Sequence, residues 1–237
     1  MTILAIDTSN FSLGVAVCTE DKVLGEFSTN LKKNHSIRLM PMVSQLLDEV
    51  EVDPTELAAV AVARGPGSYT GVRIGVATAK SMAWSLNIPL LGISSLEVLA
   101  WNAAYFPGRI VPLFDARRGQ VYTGVYRAMP EGGVYLAEAE RIVLLKQALE
   151  EWREADDQEP ILFLGDDITI HRETITEIMG DQAVFAPMSY RIPRAAHLAA
   201  AGWKALKEER IEDTETFTPV YLQMAEAEAK WLASQKK

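Results

Sequence analysis

The sequence predicts an α/β fold in two lobes. Three observations carry that prediction. Three short apolar runs follow one another near the N-terminus with only polar turns between them. Helical and strand patterns then alternate up to about residue 104. Finally, Pro107-Gly108 interrupts the chain before a second half that opens on another pair of apolar runs. Runs of adjacent strands followed by alternating units are the signature of a mixed sheet covered by helices.

The elements follow in order. Thr2–Ile6, Leu13–Cys18 and Val23–Phe27 read as antiparallel strands, the first ending in Asp7-Thr8-Ser9-Asn10. Leu39, Met40, Val43, Leu46, Leu47 and Val50 recur at three- and four-residue spacing, which predicts an amphipathic helix. Proline lacks an N–H and fits only the first turn, so Pro41 places the helix start between Ser36 and Met40. Leu57–Ala63 is a buried strand by composition, and a helix runs from Ser68 to about Leu86. Pro89–Ile93 is the next strand, and Ser94 or Ser95 caps a helix reaching Ala104. Beyond Pro107, Arg109–Asp115 and Gln120–Tyr126 form a hairpin, and Glu131-Gly132-Gly133 is a loop. Leu145, Ala148, Leu149 and Trp152 mark a helix face; Ile161–Leu164 is a strand ending in Gly165-Asp166-Asp167. Short helices are expected around Ile175 and after Pro193, and a polar one over Ala225–Gln235. This order fits an RNase H-like fold better than a fully parallel sheet, with lobes at 1–106 and 107–237 and a faint hint of duplication.

Composition narrows the functions. The chain has 237 residues, 23 basic and 32 acidic, for a formal charge of −9. Nucleic-acid affinity rests mainly on basic groups that neutralise phosphates, so a stand-alone RNA or DNA binder is not expected. Lys32, Lys33 and Arg38 are the nearest approach to a basic patch and read as a solvated loop. One cysteine, Cys18, permits no internal disulfide and suits a reducing compartment. The N-terminus has no basic region before its apolar run, and no apolar stretch reaches about 18 residues, so a cytoplasmic protein without membrane attachment is expected.

Two places carry chemistry. Asp7-Thr8-Ser9 ends the first strand; a carboxylate there can hold a hydrated cation while hydroxyls and N–H groups meet a phosphate. Asp115 and Asp166 also follow apolar strands and could close a nucleotide-type cleft, active or vestigial. The second place is Gly65-Pro66-Gly67-Ser68-Tyr69-Thr70-Gly71. It has neither the Gly-Lys-Ser/Thr of a P-loop nor the glycines of a nucleophile elbow, so it is read as a strand–turn–helix. In the helix that follows, Gly71, Gly75, Ala79 and Ala83 make a ridge nearly free of side chains, flanked by Val72, Val76 and Lys80. Such a ridge lets another helix approach closely. Because Ile74, Met82, Trp84 and Leu86 make the helix apolar on more than one side, a partner chain is expected on it, and Gly75→Trp is expected to abolish pairing while leaving the monomer folded. His35, His171 and His197 are far apart and predict no metal site; His35 reads as a turn or cap residue, the other two as surface or boundary residues. No Ser–His–Asp or zinc spacing supports a peptidase.

These motifs resemble the TsaB (YeaZ) family, a branch of the actin-like/Hsp70-type ATPase superfamily. The matching pieces are Ile6-Asp7-Thr8-Ser9 with Gly14-Val15-Ala16-Val17, Asn34-His35-Ser36, the segment Gly65–Gly75, Asp115-Ala116-Arg117 with Gly119, and Pro219-Val220-Tyr221-Leu222. The resemblance implies an actin-like fold with a reduced second lobe and a part in making threonylcarbamoyladenosine beside the anticodon of tRNA. It implies a non-catalytic subunit, with no catalytic residues of its own, that pairs with a catalytic TsaD-like paralogue and helps recruit a small TsaE-like ATPase. Alone it would form a homodimer through the Gly-Pro-Gly helix; tRNA, and ATP with Mg²⁺, would be met only in the complex. TsaD-like proteins carry two metal-binding histidines four residues apart on the helix after the Pro89–Ile93 strand; the equivalent positions here are Ser95 and Leu99. The competing expectation is a working ATP-dependent phosphotransferase with Asp7, Asp115 and Asp166 around Mg²⁺.

Overall fold

The computed structural model describes residues 1–155 and 159–222. The expected helix over Ala225–Gln235 lies outside them. The first sheet has the order β3-β2-β1-β4-β5. Strand β1 (Thr2–Asp7) pairs antiparallel with β2 (Ser12–Cys18) and parallel with β4 (Leu57–Ala63), while β3 (Val23–Asn30) and β5 (Leu90–Ile93) form the edges. The central strands are apolar throughout because both their faces are covered. Leu4, Ile6, Val60 and Val62 face helices α1 (Leu39–Glu49) and α2 (Tyr69–Leu86). Ile3, Ala5, Ala59 and Ala61 face helix α6 (Ala195–Lys207), far along the chain. That face is lined with alanine because α6 lies very close: a Cβ on Gly202 would come 2.8 Å from Ala61 Cβ.

The second sheet repeats the plan. Its order is β10-β9-β6-β7-β8, from β6 (Arg109–Asp115), β7 (Gln120–Ala128), β8 (Val134–Leu144), β9 (Ile161–Leu164) and β10 (Ala183–Phe185). Three antiparallel strands and two parallel ones recur in the same arrangement, so the duplication is explicit in the topology. Helices α4 (Leu145–Glu154) and α5 (Ile168–Met179) cover one face. The other face is covered by α3 (Ser95–Ala100), which belongs in chain order to the first half. The third helix of each half thus crosses to the opposite sheet.

Most predicted elements stand within a residue or two. Ser68 caps α2, its Oγ accepting from Gly71 N at 3.3 Å, and Asn87 ends it with φ +53°. Ser94 caps α3, which stops at Ala100 rather than Ala104 and continues only as a 3-10 turn over Trp101–Ala103. Strands β8 and β10 were not expected. Leu136-Ala137-Glu138-Ala139-Glu140-Arg141 has the composition of a helix, yet it is an edge strand with its middle exposed, where charged side chains guard an open edge. β10 is a three-residue edge, too short to show a period.

A buried polar cluster joins the two sheets where α3 crosses. Ser94 Oγ and Tyr126 OH both donate to the Glu140 carboxylate. Glu97 lies beside it, its pKa raised by burial, with Arg210 opposing. A carboxyl with a folded pKa above its unfolded one adds stability below the unfolded pKa and loses it as pH rises through the folded one. Glu97→Gln should therefore raise the melting temperature at pH 7 and flatten the decline in stability as pH rises above the ordinary glutamate range. Parallel melting curves for the two proteins across that rise would count against the charge penalty.

Candidate functional site: the β1 turn and helix α2

The turn after β1 and the start of α2 are stitched together. Ser68 N donates to Ser9 O at 2.7 Å, and Thr8 Oγ1 donates to Gly71 O at 2.7 Å. The approach is so close that a Cβ on Gly71 would lie 2.2 Å from Thr8 O, and one on Gly75 2.5 Å from Thr8 Oγ1. This explains the glycines and corrects the expectation drawn from them. Gly71, Val72, Gly75, Val76, Ala79 and Ala83 are all buried within this chain, packed toward β1 and β4. Their smallness serves the packing of α2 on its own sheet, not the reception of a partner. Lys80 is half-buried and also committed, its Nζ donating to Phe217 O at 2.8 Å and Glu215 O at 3.3 Å.

The outward face of α2 consists of other residues: Tyr69, Thr70, Arg73, Ala77, Ser81 and Trp84. Trp84 is 72% exposed although it is the largest side chain on the helix. At the other end Arg73 lies over the Tyr69 ring at 4.6 Å, and Tyr69 stacks on Tyr221 at 5.0 Å between centroids. The signal in the sequence was Trp84 itself, a large apolar residue off the buried ridge.

The strand-end aspartates each have their own set of partners. Asp7 is buried; its Oδ1 accepts from Ser9 N at 2.8 Å and Ser9 Oγ at 2.7 Å, while Oδ2 is buried with no partner among the described residues. Burial pushes its pKa up against the Ser9 bonds and the nearby His35. Asp115 accepts from Arg117 N at 3.2 Å and from His171 Nε2 at 3.1 Å, and its own N–H donates to Asp167 Oδ2 at 2.9 Å. Asp166 instead turns to Asn30, whose Nδ2 donates to its Oδ2 at 3.0 Å across the two sheets. Sequence reasoning missed Asp167 and Asn30, and it placed His171 at the surface or a boundary, whereas His171 is buried against Asp115. His35 does hold a turn, donating from Nε2 to Asn10 O at 2.8 Å. Among the described residues no three His, Cys, Asp or Glu side chains converge as a metal site. A magnesium-bound nucleotide needs carboxylates turned toward one ion; here Asp7 holds its own turn through Oδ1, Asp115 binds Arg117 and His171, and Asp166 binds Asn30.

Burial therefore penalises Asp7 whenever it is ionised. A buried polar group without a partner is destabilising by about 1–3 kcal/mol. Asp7→Asn keeps an Oδ1 acceptor for Ser9 and removes the charge. It should raise stability at pH 7 by about 1 kcal/mol in denaturant unfolding, with the gain shrinking as pH falls. A loss of stability at pH 7 would show that the charge is compensated.

Together, the doubled five-strand sheets and their exchanged helices define a member of the actin-like ATPase fold class. ROK hexokinase from Thermus thermophilus shares the fold at TM-score 0.51 and 10% identity, with 87% of this chain and 100% of that one covered. YeaZ from Pseudomonas aeruginosa superposes at TM-score 0.78 with 30% identity over 93% of this chain and 99% of its own. The TsaD family model, tRNA N6-adenosine threonylcarbamoyltransferase, matches residues 22–231. The tRNA threonylcarbamoyladenosine biosynthesis protein TsaB of Bacillus subtilis is 48% identical over the whole of both chains. Its Escherichia coli counterpart is 35% identical over 64% of this chain and 65% of that one. The chain belongs to the TsaB family of tRNA threonylcarbamoyladenosine biosynthesis proteins. Among the described residues no helix is long and apolar enough to cross a membrane.

Proposed function

We propose that this chain is a non-catalytic subunit in the transfer of a threonylcarbamoyl group to the adenosine beside the anticodon of tRNA. It acts in the cytoplasm, pairs with a TsaD-like catalytic subunit through the outward face of α2, helps recruit a TsaE-like ATPase, and pairs with itself when that subunit is absent. It meets tRNA, and ATP with Mg²⁺, only within the complex. One observation carries the reading. At the two positions that the resemblance equates with the metal-binding histidines of a TsaD-like catalyst, this chain has Ser95 and Leu99, and both are fully buried. Ser95 Oγ accepts from Gly65 N at 3.1 Å, and Leu99 packs among Leu96, Ile110 and Phe114. Both side chains are thus engaged in packing and a backbone bond, which supports a non-catalytic role. Relatives named as biosynthesis proteins of this modification support the pathway.

The test is reconstitution with the catalytic paralogue, the small ATPase, tRNA, threonine, bicarbonate and ATP. Modified adenosine should fail to form without this chain. It should form in full with the Asp7→Asn, Asp115→Asn, Asp166→Asn triple variant. If the variant pairs normally but modification is lost, the chemistry resides in this chain and the phosphotransferase reading takes over.

A further inference from the structure

Several strand ends meet where the two sheets face each other. Asn30 closes β3, and its Nδ2 donates at 3.0 Å to Asp166, just past β9. On one side of this bridge the loop after β3 folds over the turn after β1. There His35 Nε2 donates to Asn10 O at 2.8 Å, and Lys32 Nζ lies 6.0 Å from the centre of the Phe11 ring. On the other side Asp167 Oδ2 accepts from Asp115 N at 2.9 Å, and Asp115 Oδ2 accepts from Arg117 N at 3.2 Å, in the turn after β6. One rim therefore carries Lys32 and Lys33 from the first half and Arg117 from the second, all three exposed. Only folding brings Arg117 to the lysines, which is why the sequence alone shows them as a solvated loop.

Charge sets this rim apart. The chain has 32 acidic residues, yet residues 27–47 and 116–130 hold none. The carboxylates that reach the rim are engaged, Asp115 by Arg117 N and His171, Asp166 by Asn30. Among the described residues no carboxylate pairs with Lys32, Lys33 or Arg117. Arg117 is held at φ +66°, left-handed backbone that a residue with a Cβ seldom adopts. Beside the cations the Phe11 ring is 58% exposed, and unpaired bases stack on such rings. We infer that this rim contacts the tRNA backbone in the assembled complex, with Lys32, Lys33 and Arg117 each neutralising a phosphate. The inference rests on the reading of the chain as a subunit in tRNA modification and adds the surface that meets the substrate. Charge complementarity selects the occupant, because a positive strip on a chain of net charge −9 is a place for a polyanion. The same numbers make the chain alone a weak binder: three cations against that net charge suffice only when a partner supplies the remaining contacts.

The test uses the complex of the full chain with the catalytic paralogue, and an unmodified tRNA transcript. Lys32→Ala, Lys33→Ala and Arg117→Ala together should weaken tRNA binding about 10-fold or more. They should also lower the slope of log K against log salt by roughly 2, since each lost phosphate contact removes about 0.7–0.9. The KM for tRNA should rise while kcat and the affinity for the paralogue hold. Lys32→Arg, Lys33→Arg and Arg117→Lys, which keep the charge, should behave as the unaltered chain. Unchanged tRNA affinity overturns the inference. So does a loss of affinity with the salt slope intact, or a loss of ATP binding with tRNA binding kept, which would give the rim to a free nucleotide. If the complex forms and modifies tRNA while the alanine variant binds it normally, the rim falls and the reading beneath it stands. If no complex forms with the unaltered chain, that reading fails and the rim with it.

Discussion

Gly71→Ala should lower the stability of the isolated chain by about 3 kcal/mol or more, since overpacking a tight contact costs about 1–3 kcal/mol even where neighbours can shift. Here the neighbour is backbone. The new Cβ would sit 2.2 Å from Thr8 O, inside a turn already fixed by the bonds from Ser68 to Ser9 and from Thr8 to Gly71. Relief requires α2 to lift from β1, which opens Ile6 and Val62 beneath it. For a chain of this size the melting temperature should fall by roughly 10 °C. A shift under about 2 °C would mean that the turn yields more easily than its bonds imply. The same geometry reverses the expected behaviour of Gly75→Trp. With Thr8 Oγ1, Val62 and Ile6 all within 4 Å of a Cβ, an indole there destroys the lobe before any question of pairing arises.

The second large effect lies on the opposite side of the same helix. Trp84→Glu should leave the melting temperature within about 2 °C, because an exposed side chain contributes little to folding. Pairing should weaken by 30-fold or more, since exposed tryptophans that become buried at an interface are commonly worth about 2 kcal/mol or above. Sedimentation for self-association and titration calorimetry with the catalytic paralogue measure it. An unchanged Kd in both would remove the outward face of α2 from the interface. Gly71 and Trp84 form a paired experiment: one change breaks the fold, the other only the association.

How much of this could be read in advance depends on which forces set each feature. Strands β1, β2, β4 and β9 and helices α1 and α2 were visible because burial on one or both faces writes a period or a continuous run into the residues. β8 was hidden because it is held by one neighbour only, and its exposed Ala137-Glu138-Ala139 stretch reflects solvent rather than strand propensity. The glycine ridge was found, but a list of small residues does not say which backbone approaches them; only the position of Thr8 decides that. The aspartates were found one by one. That Asp167, not Asp166, meets Asp115 depends on where β9 ends relative to β6, which no local pattern records.

The exchange of α3 and α6 between the sheets has a consequence for how the molecule comes apart. Cut between residues 106 and 107, the first piece would lose the cover over Ile3, Ala5, Ala59 and Ala61, and the second would lose the cover over Ile110, Phe114 and Tyr126. Each severed piece would present a bare oily plane and precipitate. Neither half should stay in solution when produced alone, and heating should melt the intact chain in one calorimetric step.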